Sequence, residues 1–241
     1  MKGNTLVNGS FNFNLNFKCC QLNGFLAVAY KDLQIEFRNR YTISITLLFT
    51  LISTTIINFS IPTELIQSNL YAGLIWVVIF FASMTGMARS FVSEEEKGTI
   101  LLLKLISTPY KVFFGKFLFN LLISLLINLA SILMFMLFFD KIKIASFHLF
   151  VVSIINAGIG IAGCSTIIGA IISKANVKGA LFPILSLPIL IPLLMLGIEA
   201  THFSLIGKDY ALILKDNLFM FGYSGFLITL SSFLFEFVWK D

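Results

Sequence analysis

The sequence predicts an all-α integral membrane protein with six transmembrane helices, and three observations carry this prediction. Hydrophobic residues make up 58% of the chain and charged residues only 12%, whereas a soluble domain carries about 25% charged residues. The mean hydropathy is +0.94. Six segments are apolar and long enough for a spanning helix, which needs about 20 apolar residues. The rest is too short and scattered for a soluble domain, so residues 23–241 are predicted to form one six-span domain.

The first 22 residues are polar and rich in asparagine. Such a composition cannot bury enough apolar surface to fold, and it predicts a disordered tail over residues 1–22. The tail lacks the apolar core and the small-residue cleavage site of a secretory signal peptide.

Residues 25–40 are predicted to form an amphipathic helix that lies on the inner membrane surface and leads into the first span. Leu26, Tyr30, Leu33 and Phe37 recur at helical spacing, and charged residues occupy other positions of the same segment. Two roles remain open for this helix. It either anchors the first span alone or also supports a docked partner.

The six predicted spans occupy residues 41–60, 70–88, 117–139, 147–172, 179–196 and 217–237. On the outer side, short turns at 61–69 and 140–146 and a longer, mixed connection at 197–216 join them. Because the longer connection mixes apolar residues with Glu199, His202 and Asp216, it could fold as a short outward-facing helix.

The basic residues predict the orientation of the chain. With the N-terminus inside, 13 of the 17 Lys and Arg residues fall on inner segments. The positive-inside rule therefore places both termini in the cytoplasm. Because the basic residues follow the inner segments, the net charge of +5 reflects membrane topology and does not indicate nucleic-acid binding.

A charged island at residues 91–100 interrupts the apolar pattern between the second and third spans. It holds Glu94, Glu95, Glu96 and Lys97, and it continues into an apolar stretch that contains Lys104. This pattern is typical of an interfacial helix at the membrane face. We refer to residues 91–108 as the inner segment and predict that it docks a partner.

The predicted fifth span contains Pro183, Pro188 and Pro192 within ten residues. Each proline removes a backbone donor and disturbs the preceding turn, and the freed carbonyls need partners within the membrane. Two interpretations remain open. The span is either a kinked helix packed for shape, or a hinge that lines a pathway.

No nucleotide-binding motif is present in the sequence. Gly115-Lys116 and Gly207-Lys208 lack the hydroxyl residue and the preceding glycine of a phosphate-binding loop. The fingerprint-like Gly158-Ile-Gly-Ile-Ala-Gly163 lies inside a span and predicts close helix packing instead. If the chain drives transport with ATP, another subunit must supply the nucleotide site.

The sequence also predicts no catalytic or metal site. His148 and His202 are isolated near the outer face, and isolated interfacial histidines are more often polar anchors than ligands of haem or a metal. Glu236 lies in an apolar segment close to the end of the chain. We expect its carboxylate to reach the interface, and the roles of these three residues stay open.

Three stretches together resemble the haem exporter protein B (CcmB) family over residues 29–239. The run from Lys31 to Arg40 is similar to the family's basic run before the first span. Residues 91–100 resemble the signature Phe-x-x-Asp-x-x-Asp-Gly-Ser-Leu, and residues 182–197 are similar to the Pro-rich fifth span. The chain departs from the signature at Lys97, which replaces an acidic residue.

The resemblance implies a type-2 ABC exporter permease fold with a cytoplasmic coupling helix between spans two and three. It implies a homodimer with a CcmA-like ATPase that carries the ATP, and CcmC-like and CcmD-like membrane subunits. Haem is then the expected cargo, with no cofactor held by this chain. Phe91, Glu94, Gly98 and Thr99 are the implied ATPase-coupling residues: Phe91 as an apolar anchor, and Glu94 as a partner for a basic residue or a helix cap.

The expected location is the bacterial inner membrane or an organellar inner membrane. Two alternatives keep the predicted architecture. The chain could be a permease of the same type for a lipid, a drug or a glycan. It could also be a membrane scaffold that recruits an ATPase and transports nothing itself.

Overall fold

A computed structural model describes residues 24–61, 67–88, 94, 98, 100–139, 144–173, 181–207 and 210–240 of the chain. These residues are helical apart from short turns, and none of them lies in a strand. The predicted tail at residues 1–22 lies outside the described residues.

The described residues form eight helices in chain order. They are α1 (Gly24–Asn39), α2 (Tyr41–Ser60), α3 (Ser68–Met87), α4 (Ile100–Ile106), α5 (Pro109–Phe138), α6 (Phe147–Ser173), α7 (Leu181–Ile206) and α8 (Tyr210–Lys240). Six of them, all except α1 and α4, are long and apolar enough to cross a membrane. The prediction of an all-α, six-span membrane protein is confirmed.

The third span is longer than predicted, because α5 begins at Pro109 rather than at residue 117. Proline is well placed at the first position of a helix, where its missing N–H would be unpaired in any case. The extra two turns contain Lys111 and Lys116, and these charges ended the apolar stretch on which the prediction rested.

The outer connection at residues 197–216 does not form a separate helix, and this prediction was wrong. Its first ten residues extend α7 to Ile206, and its last seven begin α8 at Tyr210. Gly207 has a φ of +72°, a left-handed conformation that glycine adopts easily and that ends helices. The connection is therefore short, and most of its polar residues lie in the adjoining ends of α7 and α8.

The fourth span, α6, is the most buried of the six spans. Its glycines let three neighbouring spans approach closely, which confirms the packing prediction. An added Cβ at Gly158 would lie 3.0 Å from the Leu125 side chain of α5. At Gly160 it would lie 2.6 Å from Leu193 of α7, and at Gly163 it would lie 2.9 Å from Ile228 of α8.

The first span, α2, turns threonines toward the protein and aliphatic residues outward. Its buried residues are Thr42, Thr46, Thr50 and Thr54, one on each successive turn. The hydroxyl of Thr54 donates a hydrogen bond to the carbonyl of Thr50 at 2.7 Å, so the hydroxyl has a partner although it is buried. Lipid solvates the outward aliphatic face, and this pattern is therefore stable only in a membrane.

A tight joint connects α1 to the first span. Arg40 has a φ of 50° and separates the two helices. The Glu36 carboxylate accepts hydrogen bonds from the backbone N–H groups of Thr42 and Ile43, at 2.9 and 3.2 Å. Because the first N–H groups of a helix lack partners within it, Glu36 caps α2 from α1 and fixes the direction of α1.

A row of buried polar residues runs along the face of α5 that meets α6. The row consists of Lys116, Asn120, Ser124, Asn128 and Ser131. Asn120 donates to the Thr166 hydroxyl at 3.0 Å, and Asn128 donates to the carbonyl of Ile154 at 3.3 Å. Hydrogen bonds of this kind hold transmembrane helices together, so α5 is fixed to the most buried span.

Candidate functional site

The candidate site begins where α1 crosses the start of α5. Gly115 allows the crossing, because an added Cβ would lie 2.7 Å from both the Phe25 carbonyl oxygen and the Cβ of Val28. Asp32 lies one turn after Val28 in α1, and Lys116 follows Gly115 in α5. The close crossing therefore brings Asp32 and Lys116 together.

Among the described residues, four charged side chains meet at this crossing, and we call Lys31, Asp32, Glu94 and Lys116 the ion cluster. The Lys116 Nζ lies 2.8 Å from Asp32 Oδ2 and 3.1 Å from Glu94 Oε1. Lys31 Nζ lies 3.4 Å from Asp32 Oδ1 and donates a hydrogen bond to Glu94 Oε1. Two cations and two carboxylates thus join α1, the inner segment and the third span.

Three members of the ion cluster are buried. Lys116 is 1% exposed, Glu94 5% and Asp32 7%, whereas 42% of the Lys31 side chain is exposed. Removing charges from water costs several kcal/mol for each ion, so a buried ion pair contributes little net stability. Removing one partner is far more costly, because it leaves an unpaired buried charge. The ion cluster therefore determines geometry more than it adds stability.

The electrostatics of the ion cluster favour the charged forms of Glu94 and Lys31. Burial alone would raise the pKa of Glu94, but Lys116 and Lys31 outweigh burial and lower this pKa below its ordinary value of 4.5. Burial would lower the pKa of Lys31, but the carboxylates of Asp32 and Glu94 outweigh it and raise the pKa above 10.5. Both shifts favour the paired, charged forms.

Of the four coupling residues expected from the sequence, the structure describes Glu94 and Gly98. Glu94 points at two lysines of its own chain, whereas the sequence suggested a contact with an ATPase or a helix cap. Gly98 has a φ of +67°, and among the described residues nothing lies within 4 Å of the place of a Cβ. Its backbone conformation favours glycine. Phe91 and Thr99 lie outside the described residues.

The other end of the inner segment contacts the last span. Lys104 in α4 places its Nζ 5.8 Å from the centre of the Trp239 ring. The Tyr110 hydroxyl donates to Glu236 Oε2 at 3.1 Å in an exposed position. Trp239 is itself buried and stacks on Phe235, with the ring centres 5.3 Å apart. The end of α8 therefore contacts both α4 and the start of α5.

The prolines of the fifth span lie in α7, away from the ion cluster in sequence and contacts. Pro188 and Pro192 lie inside the helix and are exposed, while Pro183 is half-buried near its start. The Tyr223 hydroxyl of α8 donates to the carbonyl of Ile189 at 2.6 Å, three residues before Pro192. A neighbouring span thus donates a hydrogen bond to the backbone of α7 between Pro188 and Pro192.

The two histidines are not brought together with the ion cluster. The rings of His148 and Tyr210 lie 6.0 Å apart, at the starts of α6 and α8. The ring of His202 lies 5.6 Å from that of Phe203 near the end of α7.

Sequence reasoning missed Lys116 and Asp32 as site residues. One signal for Lys116 was available, because this lysine is followed at once by an uncharged run of more than 20 residues. An ionisable residue embedded in a spanning helix is a candidate functional residue, usually with a partner of opposite charge. The partner could not be inferred, since Asp32 lies far away in the sequence.

Comparison with known protein families matches residues 23–235 of this chain to the family described as CcmB protein. The match covers α1 and all six spans except the last turn of α8. The chain belongs to the CcmB family. This CcmB chain is thus an integral membrane protein and a permease subunit of the haem-export ABC transporter of cytochrome c maturation. Its transporter system includes an ATPase partner.

Comparison with individually curated proteins gave no match. The ion cluster, α1 and the inner segment all fall inside the part of the chain that the CcmB family covers. The ion cluster therefore belongs to the part of the chain that the CcmB family shares.

Proposed function

We propose that this chain exports or delivers haem during cytochrome c maturation, and that a separate CcmA-like ATPase drives it by binding the inner segment. The observation that carries the proposal is the burial of Glu94 between α1 and α5. A segment that merely turned the chain around would not need a buried carboxylate held by two lysines. A segment that receives force from a partner needs a firm attachment to the spans.

The proposal assigns a role to each coupling residue. Phe91 inserts into a pocket of the ATPase as an apolar anchor, and Gly98 and Thr99 form the contact surface beside it. The open surroundings of Gly98 leave room for a partner to approach the backbone. Glu94 holds this surface to the permease from the inside. ATP binds to the ATPase subunit, and haem is the cargo rather than a resident cofactor.

The proposed assembly is a homodimer in the bacterial inner membrane, or in an organellar inner membrane, with both termini on the cytoplasmic side. CcmC-like and CcmD-like subunits complete the complex. All six spans expose large apolar side chains that suit such contacts or lipid, and α2 and α7 are examples. Leu48, Ile56 and Phe59 of α2 are exposed, as are Ile184 and Met195 of α7. The exposed Pro188 and Pro192 on α7 would serve as a hinge at such a contact.

The first test is recovery of partners from mild detergent with the tagged full chain, with haem followed by absorbance. Recovery of an ATPase together with a CcmC-like protein is the expected result. An ATPase with an unrelated cargo pathway would favour a permease for a lipid, a drug or a glycan. An ATPase bound without any ATP-dependent transport in vesicles would favour the scaffold alternative.

The second test separates binding of the ATPase from transport. Phe91→Ala should weaken recovery of the ATPase, and Gly98→Leu should do the same because leucine disfavours the left-handed backbone at this position. Gly222→Leu is the matched control, because Gly222 is exposed on α8 and open to a side chain. Normal recovery and normal cytochrome c maturation in both inner-segment variants would overturn the assigned roles.

A further inference from the structure

The ion cluster joins three parts of the chain that are distant in sequence, and Lys116 is its member in the third span. Its Nζ contacts Asp32 of α1 at 2.8 Å and Glu94 of the inner segment at 3.1 Å. Lys116 itself belongs to the third span and is 1% exposed. The inner segment is therefore connected to the third span in two ways. The covalent chain runs from α4 into α5, and Glu94 contacts Lys116.

We propose that Lys116 is a positioning residue that transfers movement of the inner segment directly to the third span, while Asp32 keeps α1 in the same moving unit. This inference rests on the proposed function, because movement of the inner segment presupposes an ATPase bound to it. The reacting groups belong to that ATPase, and Lys116 acts on them only through the position of the inner segment.

The composition of the ion cluster favours a positioning role over a purely stabilising one. Apolar residues of similar volume are often as stabilising as a buried ion pair, or more so. A charged cluster differs in its geometry, since each short contact fixes one group relative to two others. Glu94 contacts Lys31 of α1 and Lys116 of α5 through one oxygen, Oε1. A displacement of this carboxylate would therefore displace both helices.

The third span connects Lys116 to α6 through further side-chain contacts. α5 runs without interruption from Pro109 to Phe138, and its polar row begins at Lys116. One turn after Lys116, Asn120 donates to Thr166 of α6, and Asn128 lies two turns further along with its bond to the Ile154 carbonyl. A shift of Lys116 would therefore reach the most buried span through side-chain hydrogen bonds.

Two variants with uncharged replacements distinguish a role of Lys116 in positioning from a role in the stability of the fold. Within the ion cluster, Lys116→Met alone removes the lysine that contacts both buried carboxylates and leaves Lys31 beside them, so it should reduce stability. The double variant Glu94→Gln with Lys116→Met removes one charge of each sign. It leaves Lys31 beside Asp32 at 3.4 Å, a balanced pair. The double variant should therefore regain most of the thermal stability lost in the single variant while still lacking the contact between Glu94 and Lys116.

The experiment measures hydrogen exchange by mass spectrometry on the full chain with its co-purified ATPase in lipid nanodiscs, with and without a non-hydrolysable ATP analogue. In the wild type, nucleotide should change exchange in the inner segment and also in α1 and the first two turns of α5. In the double variant, the change in the inner segment should persist, and the change in α1 and α5 should fall several-fold. Lys111→Met, an exposed position in the same helix, should behave like the wild type.

Two outcomes would overturn the inference. One is a nucleotide-dependent change in α1 and α5 of the double variant that equals the wild-type change. The other is an equal loss of this change in Lys111→Met. Failure of the wild-type chain to bind the ATPase would instead refute the proposed function, and it would be seen at purification before any variant is compared.

Discussion

The two ends of the inner segment are attached to the membrane domain by different chemistry. At one end, Glu94 is buried among the charged groups of α1 and α5. At the other end, Lys104 lies over the face of Trp239. Charge-assisted hydrogen bonds are short, at about 2.7–2.9 Å, so a small displacement breaks them, whereas a cation is attracted to an aromatic ring at up to about 6 Å from its centre.

The difference indicates how the inner segment can move. The ion cluster suits a contact through which a displacement of the inner segment is passed directly to the spans. The contact with Trp239 suits a joint that keeps the end of α4 near the last span while its position changes. Substitutions at the ion cluster should therefore have larger effects than substitutions at the contact with Trp239, and the following predictions are ordered in that way.

The largest effect is expected for Lys116→Met. This substitution leaves Asp32 and Glu94 buried with an excess of negative charge, and breaking a buried ion pair in this way costs about 3–5 kcal/mol. Reversible unfolding of the purified chain in mixed detergent micelles would measure the loss of unfolding free energy. Lys111→Met is the control and should change it little, and equal losses in the two variants would remove the distinction between buried and exposed lysines.

Gly115→Val should come next. An added Cβ would lie 2.7 Å from the Phe25 carbonyl oxygen, so α1 must move away from α5 and Asp32 must move away from Lys116. Overpacking of this kind costs about 1–3 kcal/mol. The same unfolding measurement checks the prediction, with Gly222→Val as the matched control at an open position. Unchanged stability in Gly115→Val would show that α1 does not need its close crossing.

A smaller, pH-dependent effect is expected for Glu94→Gln, because the buried Lys116 keeps its contact with Asp32 and the excess positive charge falls on Lys31, whose side chain is 42% exposed. The pKa of Glu94 is lowered in the folded chain, so its stabilising contribution is present above the ordinary value of 4.5 and is lost as the pH falls through the lower folded value. The difference in unfolding free energy between wild type and Glu94→Gln should therefore shrink as the pH is lowered from neutral to below 4.5. A constant difference would contradict a charged Glu94.

The smallest effect is expected for Lys104→Met. Lys104 is half-buried and Trp239 is buried, so their cation–π contact contributes about 1–2 kcal/mol, and the methionine side chain retains apolar contact with Trp239. Unfolding free energy and cytochrome c maturation should both remain close to the wild type. A loss as large as that of Lys116→Met would reverse the comparison between the two ends of the inner segment.

The spans were predictable from the sequence because lipid requires long apolar helices. The first span was predicted with the same bounds as α2. The third span was predicted too short, since Lys116 is charged and becomes acceptable inside a helix only when Asp32 and Glu94 neutralise it. The outer connection was predicted wrongly because the polar residues of α7 and α8 resemble a loop when each is considered alone.

The site was predictable in part. The family resemblance implied a role for Glu94, but a single sequence contains no information about which lysine a buried carboxylate meets. Contacts between residues so far apart follow from the crossing of α1 over α5, and this crossing depends on Gly115. The same limit applies to Glu36, which was predicted only as part of a polar face and which caps the first span.

The most direct test of the account is cytochrome c maturation in cells that carry the double variant Glu94→Gln with Lys116→Met in place of the wild-type chain. Haem-stained cytochrome c would be measured alongside the amount of the chain in the membrane. The account predicts that the double variant accumulates near the wild-type amount and yields several-fold less mature cytochrome c, while Lys104→Met yields a near-normal amount. Normal maturation in the double variant would contradict a role for the ion cluster in coupling.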